Sequence, residues 1–266
     1  MIIAGIDVGT RMIKCVLLNA DTQKIITTLS RPSGHDFSKT SNTILDEACE
    51  AGNVDRTKIQ YVASTGFGRY QVPHRHIQIT EITCHAMGAH YLFPATRTVI
   101  DIGAQNARAI HINEEGRVKK FRMNDKCASG AGRFLERVAR GLELELEEVG
   151  ALSLRSDEPQ PISSICAVLA ESEVINLVTV GHPVEDILMG TNLSIAERIV
   201  ALTRQVAVET EVTMTGGVTH NVGMVEAITR KLNMPINVQP LSEYAGALGA
   251  CLLAERRIQK LQKKPN

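Results

Sequence analysis

The chain contains no tryptophan and only nine aromatic residues, five Phe and four Tyr, among 266 positions. That scarcity argues against a stacking platform for single-stranded nucleic acid. It has no surplus of charge: 29 Lys and Arg stand against 29 Asp and Glu. A nucleic-acid grip or a polybasic membrane anchor needs excess positive charge, so neither partner is expected. No apolar run approaches the ~20 residues of a membrane span. The opening Met1-Ile2-Ile3-Ala4-Gly5 lacks a basic flank and soon meets Asp7, so it does not read as a secretory signal. The six cysteines, at 15, 49, 84, 127, 166 and 251, include no Cys-x-x-Cys pair. A cytoplasmic, reduced chain without disulfides is the expectation, with most of these thiols serving as small buried hydrophobes.

What is present is a globular composition with 44% hydrophobic residues. At roughly 150 residues per domain this length makes one to two domains. Apolar runs bounded by Gly and polar turns place strands at Ile2 to Asp7, Ile13 to Leu18, Ile25 to Leu29 and Ile59 to Ala63. Helical spacing covers Asn42 to Ala51 and Thr83 to Tyr91. The opening pattern then returns. Thr98-Val99-Ile100-Asp101-Ile102-Gly103-Ala104 repeats Ala4-Gly5-Ile6-Asp7-Val8-Gly9-Thr10 at an interval of 94 residues. A second strand, Ala107 to Ile112, and a polar turn, Asn113 to Gly116, follow it. Two similar halves are implied.

Downstream, helices are expected from near Gly130 to Arg140, over Ser164 to Val180 with Ser163 or Ser164 as N-cap, and over Val184 to Val208. A strand Glu211 to Met214 runs into Thr215-Gly216-Gly217, followed by helix Val222 to Leu232, strand Ile236 to Val238 and helix Tyr244 to Gln262. Lys260 to Asn266 reads as a basic tail. Alternating strands and helices make an α/β fold.

An Asp-x-Gly at a strand end has a chemical use. Backbone N–H groups can approach a phosphate where bulky side chains are missing, and a nearby carboxylate can hold magnesium. One copy is commonplace and reads equally well as a hairpin turn; two copies in matching strand–turn–strand settings, plus the late Gly-Gly loop, say more. Lys14 is either a solvated strand lysine or a phosphate-facing cation. Gln105 is either a turn residue or the group that orients an attacking water.

This trio of loops resembles the actin, hexokinase and heat-shock-protein ATPase superfamily, a two-lobed fold of duplicated RNase H-like halves that closes on ATP. The resemblance assigns Asp7, Gly9, Thr10, Arg11, Met12, Ile13 and Lys14 to the first phosphate loop. It assigns Asp101, Gly103 and Gln105 to the second, and Gly216, Gly217 and Glu243 to adenosine. It implies catalytic roles for Asp7, Asp101 and Gln105, with ATP and Mg as ligands. The implied lobes are 1–95 completed by helix 243–262, and 96–242, with 263–266 as a flexible tail. Fold alone leaves kinase, motor, chaperone and polymer open.

Two cysteines have unusual settings. Cys127 lies in Asn124-Asp125-Lys126-Cys127-Ala128-Ser129-Gly130-Ala131-Gly132-Arg133-Phe134, at a helix start. Cys166 lies in Ser163-Ser164-Ile165-Cys166-Ala167-Val168-Leu169-Ala170-Glu171-Ser172-Glu173, in the first turn of another. A helix N-terminus favours thiolate, the form that binds metal, although packing is the commoner fate of an isolated Cys. Two thiolates do not complete a four-cysteine iron–sulfur site; a dimer in which each protomer gives two would complete it.

These segments, with Thr83-Cys84-His85-Ala86-Met87-Gly88-Ala89 and Gly246-Ala247-Leu248-Gly249-Ala250, resemble the ATP-dependent electron activases. That family holds the 2-hydroxyacyl-CoA dehydratase activators and the ATPase subunits of benzoyl-CoA reductase. The resemblance implies a 4Fe–4S cluster bridging two subunits through Cys127 and Cys166. It also implies reduced ferredoxin as donor, a second ATPase subunit or a second copy across the cluster, and catalytic subunits as acceptor. Activators usually carry Gly-Gly-Gln-Asp after the second Asp-Ile, whereas this chain has Gly103-Ala104-Gln105-Asn106. With the segment Cys166 to Glu171 and Ile175-Asn176, that departure favours the small (delta) ATPase subunit of benzoyl-CoA reductase. A dehydratase activator is the alternative. An iron-free small-molecule kinase and an actin- or chaperone-like interaction protein are the rivals of other classes.

The remaining candidates have plainer readings. His74 and His76 near Pro73 read as solvated, Glu171 and Glu173 as surface or interface charges. Cys84 beside His85 is a dyad in sequence only, because adjacent helical residues do not face each other.

Overall fold

The computed structural model describes residues 1–124, 132–162 and 167–262. The chain divides into two compact units: 1–94 with 115–118 and 244–266, and 95–114 with 119–243.

In the first unit, β1 (Ile2–Val8), β2 (Met12–Asn19), β3 (Lys24–Pro32), β4 (Ile59–Thr65) and β5 (Ile77–Gln78) form a sheet of order β3-β2-β1-β4-β5. β1 pairs antiparallel with β2 and parallel with β4. β1 and β2 are apolar on both faces because both faces are covered, which is why they read as continuous runs and not as alternation. Ala4, Ile6, Val8, Ile13, Cys15 and Leu17 pack with Ile44, Leu45 and Ala48 of α1 (Phe37–Ala51). Ile3, Val16 and Leu18 pack with Ala247, Leu248 and Cys251 of the C-terminal helix (Ala245–Gln262). Each such buried aliphatic side chain stabilises by about 1.5–3 kcal/mol. Helix α2 (Glu81–Leu92) packs on that C-terminal helix.

The second unit repeats the plan. β6 (Thr98–Ile102), β7 (Ala107–Ile112), β8 (Val118–Met123), β9 (Val212–Thr215) and β10 (Ile236–Asn237) form a sheet of order β10-β9-β6-β7-β8. Here too β6 pairs antiparallel with its hairpin partner and parallel with β9. Among the described residues, four α-helices come between β8 and β9: α3 (Gly132–Gly141), α4 (Leu146–Ser153), α5 (Ala167–Thr179) and α6 (Val184–Thr203). α7 (Val222–Leu232) joins β9 to β10, and α8 (Ala245–Gln262) closes the chain. Phe134, Leu135, Ile187, Ile195 and Ile199 fill the core against Ile100 and Ile102.

Several boundaries differ from the sequence reading. α1 begins five residues earlier than Asn42, because Asp36 accepts from Lys39 N at 2.9 Å and caps it there. α6 stops at Thr203 and not Val208: a 3₁₀ turn, Arg204–Val206, follows, and Ala207 takes a left-handed φ of 64° that ends the helix. α8 continues through Gln262, so Lys260 is helical and not tail, while 263–266 lie outside the described residues. The caps expected near Gly130 and at Ser163 or Ser164 also lie outside them. Three elements were missed. α4 is announced by a capping box between Glu145 and Glu148. β8 is too polar to show an inward face. β5 is only two residues long. Among the described residues no helix is long and apolar enough to cross a membrane.

Candidate functional site

In the first unit Asp7 is the penultimate residue of β1 and Gly9 opens a tight turn, its N–H donating to Met12 O at 3.1 Å. The chain returns along β2 so that Lys14 stands directly opposite Asp7. On the other side β4 runs parallel and places Thr65 beside Asp7. Gly66 follows with a left-handed φ of 91°, and a methyl group there would lie 2.5 Å from Asp7 Oδ1. Only glycine takes that backbone without strain while leaving room for the carboxylate.

The second unit rebuilds the same arrangement. Gly103 N donates to Asn106 O at 2.9 Å. Arg108 stands opposite Asp101, and Thr215 beside it. Gly216 has a φ of 92°, and a methyl group there would lie 2.8 Å from Asp101 Oδ1. The third loop, read as the adenosine site, thus rests on the carboxylate of the second. Gly216 N donates to Ser242 O at 3.2 Å, next to Glu243, whose carboxylate lies 3.1 Å from His220 Nε2. Gly217 begins a 3₁₀ turn, Gly217–His220.

The two copies differ in their cations. Arg108 Nη1 lies 2.5 Å from Asp101 Oδ2, and both side chains are buried. Lys14 is 9% exposed and has no ion-pair partner among the described residues. Asp7 instead lies 3.8 Å from His85 Nε2 of α2, with both side chains buried. A buried ammonium without a counter-charge is costly unless an anion neutralises it. Lys14, the Gly9 turn and Thr10 therefore fit a phosphate, and the Asp7 carboxylate fits a cation that would accompany one. Sequence reasoning missed Arg108, though a signal was available: it follows Lys14 by the same 94 residues that separate Asp101 from Asp7. It also missed Gly66, the first-unit counterpart of Gly216.

The other expected residues fall out as follows. Arg11 is exposed at the hairpin tip, with Met12 beside it, and Ile13 is wholly buried in the core. Gln105 is exposed on its loop. The carbonyls of that loop are not idle: Gly103 O accepts from Gly132 N at 2.9 Å, and Ala104 O from Arg133 N at 2.8 Å. These are the first residues of α3, five and six positions beyond Cys127. α3 in turn packs on α5, where Arg137 lies 3.7 Å from Glu171.

Cys127 and Cys166 lie outside the described residues. The other four cysteines are free and buried. Burial pushes the thiols of Cys15, Cys84 and Cys251 far up, and that of Cys49 up despite nearby Arg56. None of the four is poised as a thiolate. Cys84 and His85 do not form a dyad, since His85 is drawn to Asp7 while Cys84 lies by Thr65. His76 is tied into the fold: its Nδ1 accepts from Val62 N at 2.9 Å and its ring stacks on Tyr61. Among the described residues no group of three or more His, Cys, Asp or Glu is placed to hold a metal.

Comparison with known proteins agrees with this geometry. The fold is that of the actin- and hexokinase-like ATPases. The chain is 42% identical to the activator of lactoyl-CoA dehydratase of Anaerotignum propionicum, over 96% of this chain and 98% of that one. It is 37% identical to a benzoyl-CoA reductase subunit of Thauera aromatica, over 98% and 96%. The solved activator of 2-hydroxyisocaproyl-CoA dehydratase from Clostridium difficile, with bound ADPNP, superposes with a TM-score of 0.94 at 36% identity, over 100% of this chain and 98% of that chain. The model of one family spans residues 4–254. With paired carboxylate loops in both units and that match along nearly its whole length, the chain belongs to the BadF/BadG/BcrA/BcrD ATPase family.

Proposed function

We propose that this chain is an ATP-hydrolysing, electron-activating subunit that passes single electrons at low potential to a partner acting on a CoA thioester. One observation carries the reading. The second phosphate loop is hydrogen-bonded through Gly103 O and Ala104 O to the first two residues of α3, which follow the Cys127 segment directly. A change at the nucleotide loop therefore has a short backbone route to the chain that bears Cys127.

In this reading Lys14, Thr10 and the Gly9–Ile13 hairpin hold phosphate, and Asp7 holds the accompanying magnesium. Gln105, exposed on its loop, orients water for attack on the terminal phosphate. Asp101 positions that loop through Arg108 and Gly216, and Gly216, Gly217 and Glu243 receive adenosine. ATP and ADP bias a conformational equilibrium only by the difference in their affinities for its two states; each tenfold difference amounts to about 1.4 kcal/mol. Gly103 and Ala104 convert that difference into a shift of α3. Cys127 and Cys166 are the thiolates that would ligate half of a 4Fe–4S cluster, a partner chain giving the other half. Bound there, the cluster supplies one-electron chemistry. Reduced ferredoxin is the donor.

For the acceptor we favour benzoyl-CoA reductase, with this chain as its small ATPase subunit. Ala104 and Asn106 depart from the activators' Gly-Gly-Gln-Asp, and a heteromer can keep the lost carboxylate in its second ATPase subunit. The 42% identity to the lactoyl-CoA dehydratase activator favours the other reading, a homodimeric dehydratase activator. Anaerobic purification tests the proposal. A brown, iron-bearing protein is expected, colourless after Cys127→Ala or Cys166→Ala but still binding ATP. A colourless wild type, even reconstituted with partner subunits, overturns it. Co-purification with a larger ATPase subunit selects the reductase; a stable homodimer selects the activator.

A further inference from the structure

β8 differs from every other strand. Its neighbour β7 is wholly buried, and β3, which occupies the same edge of the first sheet, is mostly half-buried. On β8 five residues in a row, Lys119, Lys120, Phe121, Arg122 and Met123, are exposed. Successive strand residues point to opposite faces, so both faces carry exposed residues, and among the described residues β8 is the outermost strand, with an unpaired edge as well. Lys119 and Lys120 have no ion-pair partner among the described residues. The strand carries three cations and no acid in a chain whose net charge is zero; the nearest acids in sequence are Asp125, two residues beyond it, and Glu114 and Glu115 in the turn before it.

Lysines alone would read as protection of an edge against aggregation. Phe121, 43% exposed, and Met123, 39% exposed, do not fit that purpose. Aromatic residues, Met and Arg are the types enriched where proteins meet, and this chain has few aromatics to spend on solvent. A second copy is a poor occupant, since two such strands would bring like charges opposite each other. Position adds to the argument. In sequence, Cys127 follows the strand's last residue, Met123, by four positions.

We propose that β8 is the docking strip for an acidic electron-donor protein, with Lys119, Lys120 and Arg122 steering it and Phe121 and Met123 forming the apolar contact. This rests on the electron-transfer reading above, in which the donor gives up one electron and this chain takes one. The test is binding, which needs no cluster in this chain. An oxidised, acidic two-cluster ferredoxin is titrated by calorimetry into the wild type and into K119E/K120E/R122E, at low and at high salt. Wild-type affinity should fall with salt, and charge reversal should weaken low-salt binding by about tenfold or more, with ATP affinity and thermal midpoint unchanged. Phe121→Ala should weaken binding at both salt concentrations. If charge reversal destabilises the fold, K119Q/K120Q/R122Q replaces it, with the same direction expected. Equal ferredoxin affinity in wild type and folded variants overturns the strip. So does a variant that loses only self-association or only its catalytic partner. Iron content of the same preparations is a separate readout: iron-free protein that still binds ferredoxin through β8 would overturn the cluster and leave the strip standing.

Discussion

Arg108 closes on Asp101 at 2.5 Å, while Lys14, set opposite Asp7 in the same strand register, has no carboxylate in reach among the described residues. The two halves thus share a backbone but spend their cations differently. The second is neutralised within the protein; the first has no such partner among the described residues.

That difference separates two substitutions. Arg108→Ala leaves Asp101 buried without its counter-charge and should cost about 3–5 kcal/mol in stability. Lys14→Met removes a buried charge that has no ion-pair partner among the described residues, so it should raise the thermal midpoint of the nucleotide-free protein while weakening ATP binding by about ten- to a hundredfold, the worth of one charge-assisted hydrogen bond. Thermal unfolding and nucleotide titration of both variants check this; a Lys14 variant with wild-type ATP affinity would remove the lysine from the phosphate site.

Gly66 and Gly216 should prove equally intolerant. Alanine at either meets a left-handed backbone and an aspartate oxygen. Each Gly→Ala change should cost about 1–3 kcal/mol and lower ATP turnover more than the same change at exposed Gly141. Chemical denaturation and steady-state hydrolysis give the two numbers.

His85 should act on turnover through Asp7. With 3.8 Å between Nε2 and the carboxylate, His85→Leu should lower kcat for ATP hydrolysis with little change in KM. His85→Gln, whose amide reaches where Nε2 was, should recover most of it. Equal loss in both variants would show that the ring is there only to fill space.

Acid should weaken the second unit at a specific carboxylate. Asp186 Oδ1 accepts from Ser156 Oγ at 2.7 Å and from the N–H groups of Asp157 and Glu158 at 3.0 Å. The Ser156 hydroxyl foremost, then those N–H groups, hold its carboxyl below the ordinary range, against the opposing effect of burial. A depressed folded pKa means stability that is present above the unfolded value and lost as pH falls through the folded one. Asp186→Asn should therefore flatten the acid limb of the denaturation profile and lower its plateau near neutrality.

Much of this was legible beforehand. The repeated Asp-x-Gly gave both hairpins, because a strand buried on both faces leaves a continuous apolar run that ends visibly at its turn. The third loop was legible through Thr215-Gly216-Gly217. Arg108 was hidden because it lies beyond the glycine that ends the visible motif, although the repeat interval pointed to it. The role of Gly66 was hidden, since nothing in one dimension shows that β4 returns beside Asp7. β8 was hidden for a different reason: periodicity detects burial, and a strand bare on both faces has none to show. Cys127 and Cys166 were marked by their neighbours in sequence and lie outside the described residues.

The C-terminal helix has a consequence for how the protein is made. α8 lies against β1 where a methyl group on Gly5 would collide with the Ala247 carbonyl, so the strand at 2–8 is covered by the helix at 245–262, which is synthesised long after it. Until residues 245–262 emerge, Ile3, Val16 and Leu18 have no lid, while every strand of the second sheet already exists. The unit begun first is finished last. A nascent chain that stalls, or a message that ends early, therefore presents a half-built sheet with a greasy face to chaperones and proteases.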